Sequence, residues 1–354
     1  MPMTCLTLRP VDASSSRSRR LGVLAIGAFL AGILVAAAPP AQAERFRVLT
    51  AAPAQLSPAG TAFVDAVRGK KIVEIDRNGN VVWQCSLSGS QFGSEELQRG
   101  ADLDWIAADD SFLVTVPFSG IFRIDRQCSV IWQHRTPRVS HDADLLPSGN
   151  VLYTFAWDSE SDLQAVEIDP NGRTVWSWQA RNHIDPAWRN SAGDGGGRSG
   201  ERGAGGRGGG RGEGFTHANA VVRLADGDTL VSLRNFGRVV RVGRDGAVKW
   251  ASGNINRVHD PSLLPDGRLV AAEHSPMRVV VLGNGRRTTL FDNAIGIKPI
   301  RTVEQLGNGN FLLTGGEDIV EIDGSGTVLW HVQPFSGLGA RIRDGIYKAV
   351  RVGP

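Results

Sequence analysis

Cysteine is scarce in this 354-residue chain, with three residues, so at most one internal disulfide can form. Cys5 sits in an N-terminal leader, and only Cys85 and Cys128 remain to pair in an oxidising compartment. Surplus charge is scarce as well. The net +3 is carried entirely by the first 43 residues, where Arg9, Arg17, Arg19 and Arg20 face a single acid, Asp12. The stretch from Arg189 to Glu213 adds five arginines and three acids, leaving the rest of the chain near −2. No basic stripe survives there, which argues against nucleic acid as a partner despite the pI near 9.0.

The leader itself has a recognisable layout. Arginines precede an uncharged apolar run from Leu21 to Ala38, and Ala41-Gln42-Ala43 precedes the charged Glu44-Arg45. The run approaches the roughly 20 residues needed to span a bilayer. Its Gly and Ala content and the A-x-A site favour a signal peptide cleaved after Ala43, leaving no stable membrane span. Ser18-Arg19-Arg20 also permits the twin-arginine route. The protein is therefore expected to be exported, to the periplasm or the medium.

Residues 46–354 are expected to form one all-β domain, because two families of repeats fill them. The first is an outer hairpin: KIVEIDRNGNVVW ending at Trp83, GIFRIDRQCSVIW at Trp132, QAVEIDPNGRTVW at Trp176, RVVRVGRDGAVKW at Trp250, RVVVLGNGRRTTLF at Phe291, and DIVEIDGSGTVLW at Trp330. The second is an inner hairpin of fifteen residues starting at Asp102, His141, Asn219, His259 and Arg301. Paired, they build four-stranded antiparallel units of about 40 residues, the pattern of a β-propeller with six blades. Six outer hairpins against five inner ones leave one strand missing. The C-terminal YKAVRVGP is expected to supply it as the innermost strand of blade one, closing the ring. The aromatic that ends each outer hairpin should fill the gap between blades. The Gly/Arg-rich stretch at about 189–214 cannot form a core and is expected to be a disordered, solvated loop between blades three and four. In this topology Cys85 lies near the upper end of an outer strand and Cys128 in a lower turn of the next blade, which is poor geometry for a bridge.

The first residue of each inner hairpin should sit at the mouth of the central channel. That column reads Asp102, His141, Asn219, His259 and Arg301, with Gly345 assigned to the sixth place. The return strands bring Arg234 and His274 to the same face, and His217 points the same way as Asn219, two residues away. Four of the seven histidines thus gather at one rim. Three neutral imidazoles could hold zinc, but an arginine fork among them suits a tetrahedral oxyanion. Neither metal nor cofactor is expected. A metal-dependent lactonase would want more carboxylates at the mouth than Asp102, and a quinone-cofactor dehydrogenase usually has eight blades. A non-catalytic propeller binding a ligand over the same rim is the remaining alternative.

The run FTHANAVVRLADGDTLVSLRNFGRVVRVGRDGAVKW, followed by VHDPSLLPDGRL, resembles the bacterial arylsulfate sulfotransferases. The matching residues are His217 with Asn219, Arg234 with Asn235, Trp250 and His259, and the upstream HDADLLPSGN places His141. The resemblance implies transfer of a sulfuryl group from an aryl sulfate to a phenol, without a nucleotide donor, through a sulfo-histidine. It implies His259 as nucleophile, with His141, His217 and Arg234 as the other catalytic residues. Asn219, Asn235, His274, Arg301, Asp102 and Tyr347 are then candidate substrate-binding residues, with His274 a rival nucleophile by position.

Overall fold

The computed structural model describes residues 46–353 apart from 68–69, 87–99, 156–158, 186–187, 189–214 and 334–344. The signal peptide and the Gly/Arg-rich loop expected from the sequence lie outside the described residues. Ala43–Pro354 forms one compact unit, built of six antiparallel sheets. Blades two to six follow the repeats, each with its inner hairpin before its outer one. In blade three, for example, Val139–Leu145 is innermost, followed outward by Val151–Phe155, Ala165–Ile168 and Thr174–Trp178.

The second strand of each blade is buried on both faces because each sheet is covered by a neighbour on either side. All six residues of Ser111–Val116 are buried, as are all five of Thr229–Leu233. The described core divides into six clusters, one in each gap between successive blades.

Ring closure is as expected, and it is doubled. The C-terminal strand Ala349–Val352 pairs with Gly60–Asp65 as the innermost strand of blade one, with Phe63 opposite Ala349 and Thr61 opposite Arg351. In addition, Arg47–Ala51 pairs with the outer strand Val328–Gln333 of blade six. The sequence gives no periodic signal for that single strand. Both chain ends therefore cross the seam between blades six and one, in opposite directions.

The aromatic column does its expected work in four blades, by one repeated contact. The Nε1–H groups of Trp83, Trp132, Trp176 and Trp330 donate to the carbonyls of Arg126, Pro170, Arg244 and Arg77, each in the outer turn of the next blade. Those turns are rigid where an aspartate heads them. Asp76, Asp125, Asp169 and Asp323 each accept the backbone N–H groups two and four residues on, satisfying donors that the reversal would orphan.

Blade five breaks the pattern and corrects the alignment at Phe291. Its outer hairpin reverses through Asn284 and Gly285, both with positive φ, the signature of a tight two-residue turn. The shorter turn moves the bulge outward, so Phe291 pairs with Val279 and Thr288 stands opposite Val281. In the other blades the equivalent partners of tryptophan are Glu74, Arg123, Glu167, Arg241 and Glu321. Thr288 thus occupies the tryptophan position. Trp250, which faces blade five from the other side, is 43% exposed.

The expectation about the cysteines is also corrected. Cys85 and Cys128 are disulfide-bonded, with Cα atoms 5.5 Å apart. Adjacent blades are staggered so that the blade-two turn abuts the outer strand of blade one, as the bond from Trp83 to Arg126 in the same turn requires.

If the wedges hold the gaps, their worth should follow their burial. Trp330, fully buried, should cost about 3–5 kcal/mol when replaced by alanine. Trp250→Ala should cost less than half as much, as read by denaturant unfolding of the two variants.

Candidate active site

Five blades contribute to the rim. His141 comes from the innermost strand of blade three, His259 from the equivalent strand Val258–Leu263 of blade five, and Arg301 stands just before Thr302–Gln305 of blade six. Blade four supplies His217, just before Ala218–Arg223, and Arg234, which opens the 3-10 turn Arg234–Phe236. The sixth place belongs to Tyr347 rather than Gly345, since the ladder sets Ala349 opposite Phe63 as it sets Ala143 opposite Tyr153.

These side chains form an unbroken path around the mouth. The Arg234 Nη1 lies 3.4 Å from His217 Nδ1, and the His217 ring lies 6.2 Å from that of His141. His141 stacks on Tyr347 at 5.0 Å, and Tyr347 lies 5.9 Å beneath the Arg301 guanidinium. Arg301 Nη1 in turn approaches His259 Nε2 at 2.9 Å and His274 Nδ1 at 3.3 Å.

The partners dictate the tautomers. His259 Nδ1 lies 2.7 Å from the Arg257 carbonyl, which can only accept, so Nδ1 carries the proton. Arginine can only donate, so Nε2, facing Arg301, carries the lone pair. Burial, then the charges of Arg301, His274 and Arg234, hold the His259 imidazole well below its usual range, and it is neutral at pH 7. His141 Nδ1 faces the Gly100 carbonyl at 3.2 Å, so in the neutral ring its Nε2 carries the lone pair. The arginine contacts give the reverse tautomer in neutral His217 and His274, each presenting an Nε2–H.

Residues behind the rim hold it in place. Arg257 and His217 both have left-handed φ, a conformation that costs of the order of 1–3 kcal/mol in side-chain-bearing residues. Glu273, gripped by Arg278 and Arg287 at 2.6 Å each, accepts the N–H of Asn256 and so pins the turn that presents the Arg257 carbonyl. Asn235 anchors the approach to His217 by donating to the Phe215 carbonyl through its side chain and to the Thr216 carbonyl through its backbone. Asn219 donates to the Val258 carbonyl, next to His259, and accepts from Ser232 Oγ. Both asparagines are thus bound to the protein's own backbone at the rim.

Asp102 faces a second, acidic group. It joins Asp104 and Asp142, whose carboxylate oxygens gather within 4.8 Å of one another. The Lys348 ammonium lies 2.6 Å from Asp104 and 3.4 Å from Asp102. Asp144, Asp260 and Glu304 share the same field. The carboxylates near the mouth are therefore not limited to Asp102, contrary to the sequence reading. Burial pushes Asp102 and Asp144 up strongly and moves Asp142 and Glu304 to about 7. Burial alone would lower Lys348, but Asp102, Asp104 and Asp142 outweigh it and hold the ammonium charged. The three close carboxylates are the one set among the described residues that could bind a cation, and Lys348 already supplies a positive charge there. The sequence signal that was missed is that the residue after the mouth position is charged in three blades, at Asp142, Asp260 and Lys348.

The arylsulfotransferase (ASST) family profile matches residues 37–298. The chain belongs to the arylsulfotransferase family. No curated protein matches it significantly. Among solved structures, a protein of unknown function from Bacteroides caccae is similar at 17% identity and a TM-score of 0.55, covering 84% of this chain and 99% of that one. A streptogramin B lyase is similar at 11% identity and a TM-score of 0.50, covering 82% of each chain. At these identities the likeness shows the propeller fold. The family match spans blades one to five, so Arg301 and Tyr347 complete the rim of this arylsulfotransferase-family chain from outside it. No described helix is long and apolar enough to cross a membrane.

The Asp142 shift has a signed consequence. Its folded-state pKa, about 7, exceeds the ordinary 3.8, so the folded protein binds more protons than the unfolded chain between those values, and this group lowers stability as pH rises through them. Asp142→Asn keeps a carbonyl oxygen for the Val221 N–H that Asp142 Oδ2 accepts. Its stability relative to wild type should therefore rise from pH 5 to pH 8, measured by urea unfolding of both proteins.

Proposed function

We propose that this protein transfers a sulfuryl group from an aryl sulfate to a phenol through a sulfo-histidine at His259, with no nucleotide donor. Family membership supports arylsulfotransferase-type chemistry on small molecules. The observation that carries the finer reading is the forced tautomer of His259, neutral and buried, with its lone pair on Nε2 among cationic and N–H donors.

In the first half-reaction Nε2 attacks sulfur, an N–S bond forms, and the S–O bond to the aryl group breaks with its electron pair leaving on a phenolate. Arg301 exchanges its contact with Nε2 for a sulfuryl oxygen. Arg234 and the His217 Nε2–H bind the other oxygens, where charge accumulates. In the second half the acceptor phenol attacks sulfur, the N–S bond breaks, and its electron pair returns to Nε2. The acceptor's proton passes to Nε2 of His141, which in the neutral ring carries the lone pair, and from there to water. The released phenolate, whose ordinary pKa is about 10, takes a proton from water, so one proton is returned and one taken over the cycle. The leader pattern supports the same work being done outside the cytoplasm.

Purified mature protein should release p-nitrophenol from p-nitrophenyl sulfate in the presence of phenol, and without acceptor should gain the mass of one SO3 group. His259→Ala should lose both signals, whereas His274→Ala should keep the adduct. Arg234→Gln should lower kcat by about 10²–10³-fold, the usual loss for one oxyanion donor. Undiminished release from His259→Ala would refute the mechanism.

A further inference from the structure

The gap between blades five and six differs from the gaps filled by tryptophan. It leaves a half-open pocket of about 290 Å³, bordered by Val281, Thr288 and Thr289 of blade five and by Gln305, Phe311 and Gly324 of blade six, among others. Its position in the repeat explains its origin. Thr288 stands where the other outer strands carry tryptophan, so the ring that would fill the space is missing. The carbonyl that accepts the tryptophan N–H in four other gaps belongs to the residue after the first position of the next outer turn: Arg77, Arg126, Pro170 or Arg244. In blade six that residue is Gly324, and it borders the cavity.

A third element of the slot is also conserved in place and altered in chemistry. Where tryptophan is present, the innermost strand of the next blade can lay an arginine over its face: Arg223 over Trp176 at 4.8 Å and Arg351 over Trp330 at 5.0 Å. The register puts Gln305 at the same step of the blade-six strand, opposite Phe311, and it too borders the cavity.

We infer that this vacated wedge position is a binding site for a small planar aromatic molecule carrying an N–H or O–H donor, of indole shape. The donor meets the Gly324 carbonyl as the tryptophans meet theirs, and the ring lies between Val281 and Phe311 with the Gln305 amide at its face. Space is sufficient, since a cavity of about 150 Å³ already admits benzene. The lining belongs to strands and hairpin turns, apart from the histidine rim, so the site is independent of the proposed transfer chemistry.

Titration of the purified mature protein with indole, followed by calorimetry and thermal unfolding, tests this. Wild type should bind one equivalent saturably and unfold at a higher temperature with indole present. Thr288→Trp should unfold at a higher temperature without indole, lose at least about tenfold in indole affinity as the slot fills, and keep wild-type sulfuryl transfer. Gln305→Arg should bind indole about threefold more tightly by adding a cation over the ring, and His259→Ala should bind it as wild type does. The inference is overturned by absent or unsaturable binding to wild type, by folded Thr288→Trp binding indole unchanged, or by loss of binding in His259→Ala, which would put indole at the rim. Should Thr288→Trp not fold, unchanged affinity in Gln305→Arg overturns it.

Discussion

A ring of blades is a closed body only if its first and last members are joined, and everything at the mouth depends on that joint. Here the joint is made twice, by the C-terminal strand on the inner edge of blade one and by Arg47–Ala51 on the outer edge of blade six. The inner crossing does more than hold the seam. It brings Tyr347 between His141 and Arg301, and it carries Lys348 into the acidic group. The path from Arg234 to His259 therefore runs through a residue that arrives only when the ring shuts. Folding and assembly of the rim are one event, governed by contacts between residues almost a full chain length apart.

Two electrostatic regimes meet near the channel. At the rim, arginines and neutral imidazoles set one another's protonation through forced donor and acceptor roles. Farther in, buried carboxylates gather against a single ammonium, and the surplus negative charge is moderated by protonation. Tyr347 and Lys348 are adjacent in sequence and stand one in each regime. An anion drawn to Arg234 and Arg301 meets the carboxylates if it goes deeper, which favours its retention at the mouth.

Much of this was legible in the sequence because the blades are copies. Six outer hairpins, five inner ones and the C-terminal closure could be read from self-similarity, and the mouth column followed from it. What repeats cannot express was lost. The stagger of adjacent blades, which brings Cys85 to Cys128, is a property of packing. The strand Arg47–Ala51 has no copy. Phe291 was aligned by its aromatic character, although the Asn284-Gly285 turn shifts the register and gives its place to Thr288. Columns named the rim residues, but not their partners: that Arg301 faces His259 depends on the order of blades around the ring, and that Arg234 faces His217 depends on the side-chain packing at the top of blade four.

Blade five carries His259, and it is also the blade whose outer edge is least firmly wedged. On one side Trp250 stands half in solvent, and on the other Thr288 leaves a space. In mechanical terms the propeller is a wheel with stiff spokes and one sector of higher compliance. The innermost strands still tie that sector to the hub, through Asn219 to Val258 and Asp260 to Val303. A load on the perimeter would thus be taken up as a small tilt of blade five about its inner edge, and the residue at that pivot is the one whose lone pair faces Arg301.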